Sequence, residues 1–124
     1  MNNVLETLLN MEIPQPQTKE YKVKRLSECA GQDVIFSLKE LTFSRIAEIK
    51  KQHSDDGEMS VHIVLAGTTS PSWKDTGLLE KYKAATPAEL IKKMLMAGEI
   101  EDLARAVERL SGFRTPTIEE VKKN

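Results

Sequence analysis

The stretch Met59-Ser60-Val61-His62-Ile63-Val64-Leu65-Ala66 decides how much of this chain is helix. Val61, Ile63 and Leu65 alternate as a strand requires, whereas Val61, Val64, Leu65 and Thr68 recur at helical spacing. For a short apolar run the two periods overlap, so periodicity alone leaves both open. The flanks are plainer. Upstream, the Thr42 hydroxyl suits an N-cap for a helix running to about His53, with Phe43, Ile46, Ala47 and Ile49 facing inward. The polar stretch 52–58, with Asp55-Asp56-Gly57, reads as the turn that ends it. Downstream, Ser70-Pro71-Ser72 breaks the chain. Ser72 with Asp75 has the spacing of a capping box opening a short helix, with Leu78, Leu79 and Tyr82 inward.

Further along, Thr86-Pro87-Ala88-Glu89 is the strongest local signal. A capping hydroxyl, a proline at the first helical position and an acid at the third all serve the unpaired N–H groups of a helix start. Leu90, Ile91, Met94 and Leu95 form its apolar stripe, placing Met94 and Met96 on different sides of one helix. Gly98 interrupts, and Ile100, Leu103, Ala104, Val107 and Leu110 carry a second stripe to Ser111. Gly112 suits the left-handed position after a helix, with Phe113 folding back on the last turn. The two helices read as a helical hairpin or corner.

Toward the N-terminus, residues 20–27 alternate through Tyr21 and Val23 and then slip to Leu26. Val34, Phe36 and Leu38 alternate again after a polar, Gly31-bearing connection over 28–33. Two such runs predict an antiparallel β-hairpin, its second strand the more buried, covered by helices because a lone hairpin is unstable. Ahead of it, Val4, Leu5, Leu8 and Leu9 share one face of a helix over 2–11. Ile13-Pro14-Gln15-Pro16-Gln17 is an extended connector, because two prolines forbid helix and sheet interior alike. The expected class is α+β: a small N-terminal hairpin or sheet against a mainly helical C-terminal half. Residues 1–124 make one domain, with 1–17 its helix and connector and 114–124 a flexible tail.

Composition sets the bounds. The chain has 124 residues, 40% hydrophobic and 30% charged, enough for one core without metals or disulfides. With 18 Lys+Arg against 19 Asp+Glu, it lacks the charge imbalance of a nucleic-acid or membrane-surface binder. No apolar run approaches the ~20 residues of a membrane span, and a soluble, cytoplasmic protein is expected.

Chemistry-bearing patterns are few. Cys29 stands alone, so a nucleophilic site would pair it with His53, and neither sits in a catalytic setting. His53 and His62 are too far apart for one helical face, and Asp55-Asp56-Gly57-Glu58 lacks the alternating ligands of a calcium loop. The six glycines are scattered, so no phosphate cradle forms. No catalytic residue, metal or cofactor is expected. Interaction remains, and Val4, Leu5, Leu8, Leu9, Met94 and Met96 are its candidate residues.

The segment from Ser70 onward resembles the XkdN-like phage tail assembly chaperones. The resemblance is carried by Pro71-Ser72-Trp73-Lys74-Asp75, by Leu78-Leu79-Glu80-Lys81-Tyr82, and by Thr86-Pro87-Ala88-Glu89-Leu90-Ile91. Gly98-Glu99-Ile100 and Leu103, Val107, Leu110 and Ser111-Gly112-Phe113 complete it, over about a third of the chain. Two positions depart from the family pattern. Ala97 stands where a proline is usual, and Lys83-Ala84-Ala85 lacks the glycine often found after the tyrosine. The resemblance implies a small phage or prophage protein of mixed fold, neither enzyme nor cofactor carrier, that keeps the tail tape measure protein soluble and helps the tail tube assemble. It implies tube subunits as further partners of a frameshifted, longer product, leaves room for a homo-oligomer, and tilts 59–66 toward helix. The competing classes are a structural tail or connector protein retained in the particle and a small Cys/His enzyme.

Overall fold

A computed structural model describes residues 3–122. Among them the chain runs α1 (Val4–Asn10), β1 (Thr18–Lys22), α2 (Lys24–Ala30), β2 (Ile35–Lys39) and α3 (Phe43–Gln52). It continues through α4 (Asp56–Gly67), β3 (Thr68–Ser70), α5 (Thr76–Lys81), α6 (Pro87–Met94) and α7 (Ala97–Leu110). The class is α+β, with a three-stranded antiparallel sheet and a mostly helical C-terminal part. No helix of the described residues is long and apolar enough to cross a membrane.

The segment 59–66 is helical, inside α4. Val61, Ile63, Val64 and Gly67 are buried, while Met59, Leu65 and Ala66 pack partly against the core. A helix enclosed on several sides is apolar on several sides, which is why its period was mute. The helix also starts earlier than its apolar run. Asp55 caps it, Oδ1 accepting from the Glu58 N–H at 3.0 Å, so the acidic tetrad opens α4 rather than merely ending α3.

The expected hairpin is a pair of strands with a helix between them. β1 and β2 are antiparallel, with Tyr21 opposite Phe36 and Lys22 opposite Ile35, but the strand stops at Lys22 and Val23 caps α2. The slip from Val23 to Leu26 that interrupted the alternation is the helical spacing of α2, whose inner face is Val23, Leu26 and Ser27. Ser27 Oγ donates to the Val23 carbonyl and accepts from the Val34 N–H, both at 2.8 Å, and Gly31 closes the helix at φ 71°. The second strand is the more buried because it is central: the order is β1-β2-β3. β3 was not foreseen. Its pairing is short, Leu38 with Thr68 and Ser37 with Ser70 across an irregularity.

Four further expectations change. Phe43 is 88% exposed and Ala47 is exposed, so α3 docks through Ile46 and Ile49 alone. Asp75 caps α5, accepting from the Leu78 N–H at 2.9 Å, while Ser72 Oγ accepts from Lys74 instead. Tyr82 turns outward, and Trp73 takes the inner place, edge-on to Phe36 with centroids 5.4 Å apart. Met94 ends α6 and Met96 caps α7, so the two methionines are not on one helix.

The helix starts and stops read from sequence at the other end hold. Thr86 Oγ1 accepts from the Glu89 N–H at 3.1 Å with Pro87 at the first turn. Gly112 has φ 96°, and the Phe113 N–H reaches back to the Glu108 carbonyl at 3.0 Å. Leu90, Ile91, Leu103, Ala104 and Val107 fill the centre, where α7 packs along α4 and against β2. Over 114–122 there is neither helix nor strand, and the N-terminal helix begins at Val4; residue 2 and the end of the tail lie outside the described residues.

Candidate functional site

The apolar face of α1 is presented outward. Val4, Leu5, Leu8 and Leu9 are 72%, 63%, 59% and 74% exposed, and no residue of the helix is buried. Locally the helix is well begun, with Asn3 Oδ1 accepting from the Leu5 N–H at 2.9 Å. Seven residues are nevertheless marginal without a partner for their apolar face. The connector that follows keeps Met11 and Ile13 exposed and is tied to the body at Gln17, whose N–H and carbonyl both bond Glu40. Six large apolar side chains on one arm are far more than the scattered hydrophobes of an ordinary surface.

The two methionines part company. Met96 is 58% exposed at the α6–α7 joint. Met94 is half-buried, packs against the core, and gives its carbonyl to Arg25 Nη2 at 2.9 Å. Only Met96 remains as presented surface.

That joint is held by an ion pair that no local pattern announced. Arg25 of α2 grips Glu99 with two parallel bonds, Nη2 to Oε1 at 2.7 Å and Nε to Oε2 at 3.0 Å. Glu99 Oε1 also accepts from the Met96 N–H at 2.7 Å, satisfying the start of α7. Arg25 beside it, against the opposing effect of burial, holds the Glu99 carboxyl below its ordinary range.

The two members of the candidate enzymatic pair belong to different elements. Cys29 is an exposed residue of α2. His53, at the C-terminal end of α3, stacks on His62 of α4, ring centroids 3.6 Å apart and planes 8° from parallel. The two histidines are not on one helical face, as their spacing implied, but the tight α3–α4 turn folds one over the other. Glu58 joins them, and the three offer one ligand atom each within 4.8 Å of one another. The sequence signal was Glu58 and His62 four apart on one helical face, legible once 56–67 is helix. Burial, and then the neighbouring His53, pull the His62 imidazole below its usual range, with Glu58 opposing.

The α+β body thus presents an uncovered apolar helix on a proline-bearing connector. The chain belongs to the phage XkdN-like tail assembly chaperone proteins, whose family model matches residues 5–123. It is 27% identical over 128 residues to the phage-like element PBSX protein XkdN of Bacillus subtilis (strain 168), covering 87% of this chain and 86% of that one. The crystal structure of the protein YqbN superposes with a TM-score of 0.61 at 29% identity, covering 77% of this chain and 87% of that one. Assembly chaperones are non-enzymatic in kind.

Proposed function

We propose that the chain binds the tail tape measure protein through the outward face of α1, with Met96 as a secondary contact, and holds it until tail tube subunits displace it. The observation that carries this is the exposure of Val4, Leu5, Leu8 and Leu9 on one short helix, an element that is marginal without a partner. A long helical protein awaiting its tube has apolar stripes of its own, and two amphipathic helices cover each other's stripes. Membership of a tail assembly chaperone family supports the choice of partner.

Magnitudes favour a reversible contact. Burying four aliphatic side chains stabilises a complex by on the order of 6–12 kcal/mol before association costs of roughly 4–15 kcal/mol. A single copy is therefore a weak binder. Many copies along one long partner sum to firm cover, and each remains displaceable. The work is done in the cytoplasm of the bacterial host, by contact alone and without catalysis.

Co-expression of the tape measure protein with the Leu8→Asp/Leu9→Asp variant tests the proposal. The variant should fold, since neither side chain touches the core, and should leave the tape measure protein insoluble. Full solubilisation by the folded variant would refute the assignment of this surface.

A further inference from the structure

We propose that His53, Glu58 and His62 form a binding site for a divalent transition-metal ion, with Zn2+ the best chemical match. Three donors converge from two elements: His53 from the end of α3, and Glu58 and His62 from successive turns of one face of α4. Two imidazoles and a carboxylate are the borderline donors that zinc accepts. All three are half-buried, shielded enough for strong contacts yet open to an entering ion.

Binding requires the stack to open: parallel imidazoles 3.6 Å apart direct their ring-nitrogen lone pairs side by side, so one ring turns before both face the same ion. The donor atoms lie within 4.8 Å of one another, and a tetrahedral zinc with ligands near 2.0–2.1 Å sets them ~3.3 Å apart. His53 sits where the helix ends, outside the run of helical residues, and its ring is the one that turns toward the ion. Glu58 Oε1 is engaged by Lys92 of α6, while Oε2 lies 4.0 Å from His62 Nε2 and is the oxygen available to the ion. A lysine on the other oxygen then orients the ligand from outside. Lys92 and Arg45 put positive charge near the site, each already paired, with Glu58 and Glu48. They make it weaker than a purpose-built structural zinc site. Three protein ligands leave a fourth position for water or for a donor from another molecule. A bound ion would staple α3 to α4 and stabilise the folded chain by mass action.

The test uses the full chain, freed of metal by chelator and titrated with Co2+ and then Zn2+. The visible absorption of tetrahedral Co2+ should appear, saturate at one equivalent, and be bleached by Zn2+. Mg2+ and Ca2+, which prefer all-oxygen sites, should leave it unchanged. His53→Ala and Glu58→Gln, checked for folding by circular dichroism, should each weaken Zn2+ binding by about 10-fold or more, the loss seen even for outer partners. No Co2+ band from the folded wild type would overturn the proposal. So would Zn2+ affinity unchanged in both variants.

Discussion

Gly67 and Val107 approach each other so closely that a Cβ on Gly67 would lie 2.6 Å from Val107 Cγ2 and 2.7 Å from Cγ1. This is where α4 and α7 cross, and the missing side chain is what lets them meet. Gly67→Ala should therefore cost about 1–3 kcal/mol by overpacking, despite alanine's better helix propensity. Adding Val107→Ala should recover part of that loss, a coupling that a double-mutant cycle in urea would read. A neutral Gly67→Ala would mean the helices cross with more room.

The two positions that the sequence reading set apart, Lys83 and Ala97, fall where the backbone suits glycine and proline. Lys83 has φ 53° just after α5, and the Ala84 N–H reaches back to the Leu79 carbonyl at 2.9 Å, a closure that favours glycine. The left-handed conformation costs a non-glycine roughly 1–2 kcal/mol, against roughly 0.5–1 kcal/mol for glycine's extra chain freedom. Lys83→Gly should thus raise stability by up to about 1.5 kcal/mol. Lys93 would keep its bond to the backbone carbonyl there.

Ala97 is the first residue of α7, where an N–H has no helical partner, and Met96 before it has ψ 155°, as a residue preceding proline prefers. Ala97→Pro should stabilise the chain by about 0.4–1 kcal/mol. Denaturation midpoints at unchanged slope would check both substitutions.

The Arg25–Glu99 pair gives stability an acid limb. With its folded pKa depressed, Glu99 binds a proton less readily in the folded chain than in the unfolded one. Its contribution is complete above the ordinary glutamate pKa of about 4.3 and is lost as pH falls through the lower folded value. Wild type should exceed Glu99→Gln in stability at pH 7, and the gap should narrow toward pH 3. A gap independent of pH would remove the ion pair from the explanation.

Legibility followed the range of the interactions. Caps and closures such as Thr86, Gly112 and Phe113 are set by three or four neighbouring residues, and they read directly. The α2 helix was hidden because Val23 closes a strand and opens a helix with one side chain. β3 was hidden because three residues carry no period, and Phe43 because an exposed phenylalanine looks in sequence like a buried one. Arg25 and Glu99 are 74 residues apart, so nothing local could pair them. The arm was legible as an amphipathic face; that the body leaves it uncovered was a matter of tertiary structure.

Amide hydrogen exchange on the chain alone and bound to its tape measure protein tests the central proposal most directly. The α1 amides should exchange quickly in the free chain and become strongly protected in the complex, with little change along α4 and α7. Protection confined to the body, with Val4–Asn10 exchanging as fast as before, would contradict it.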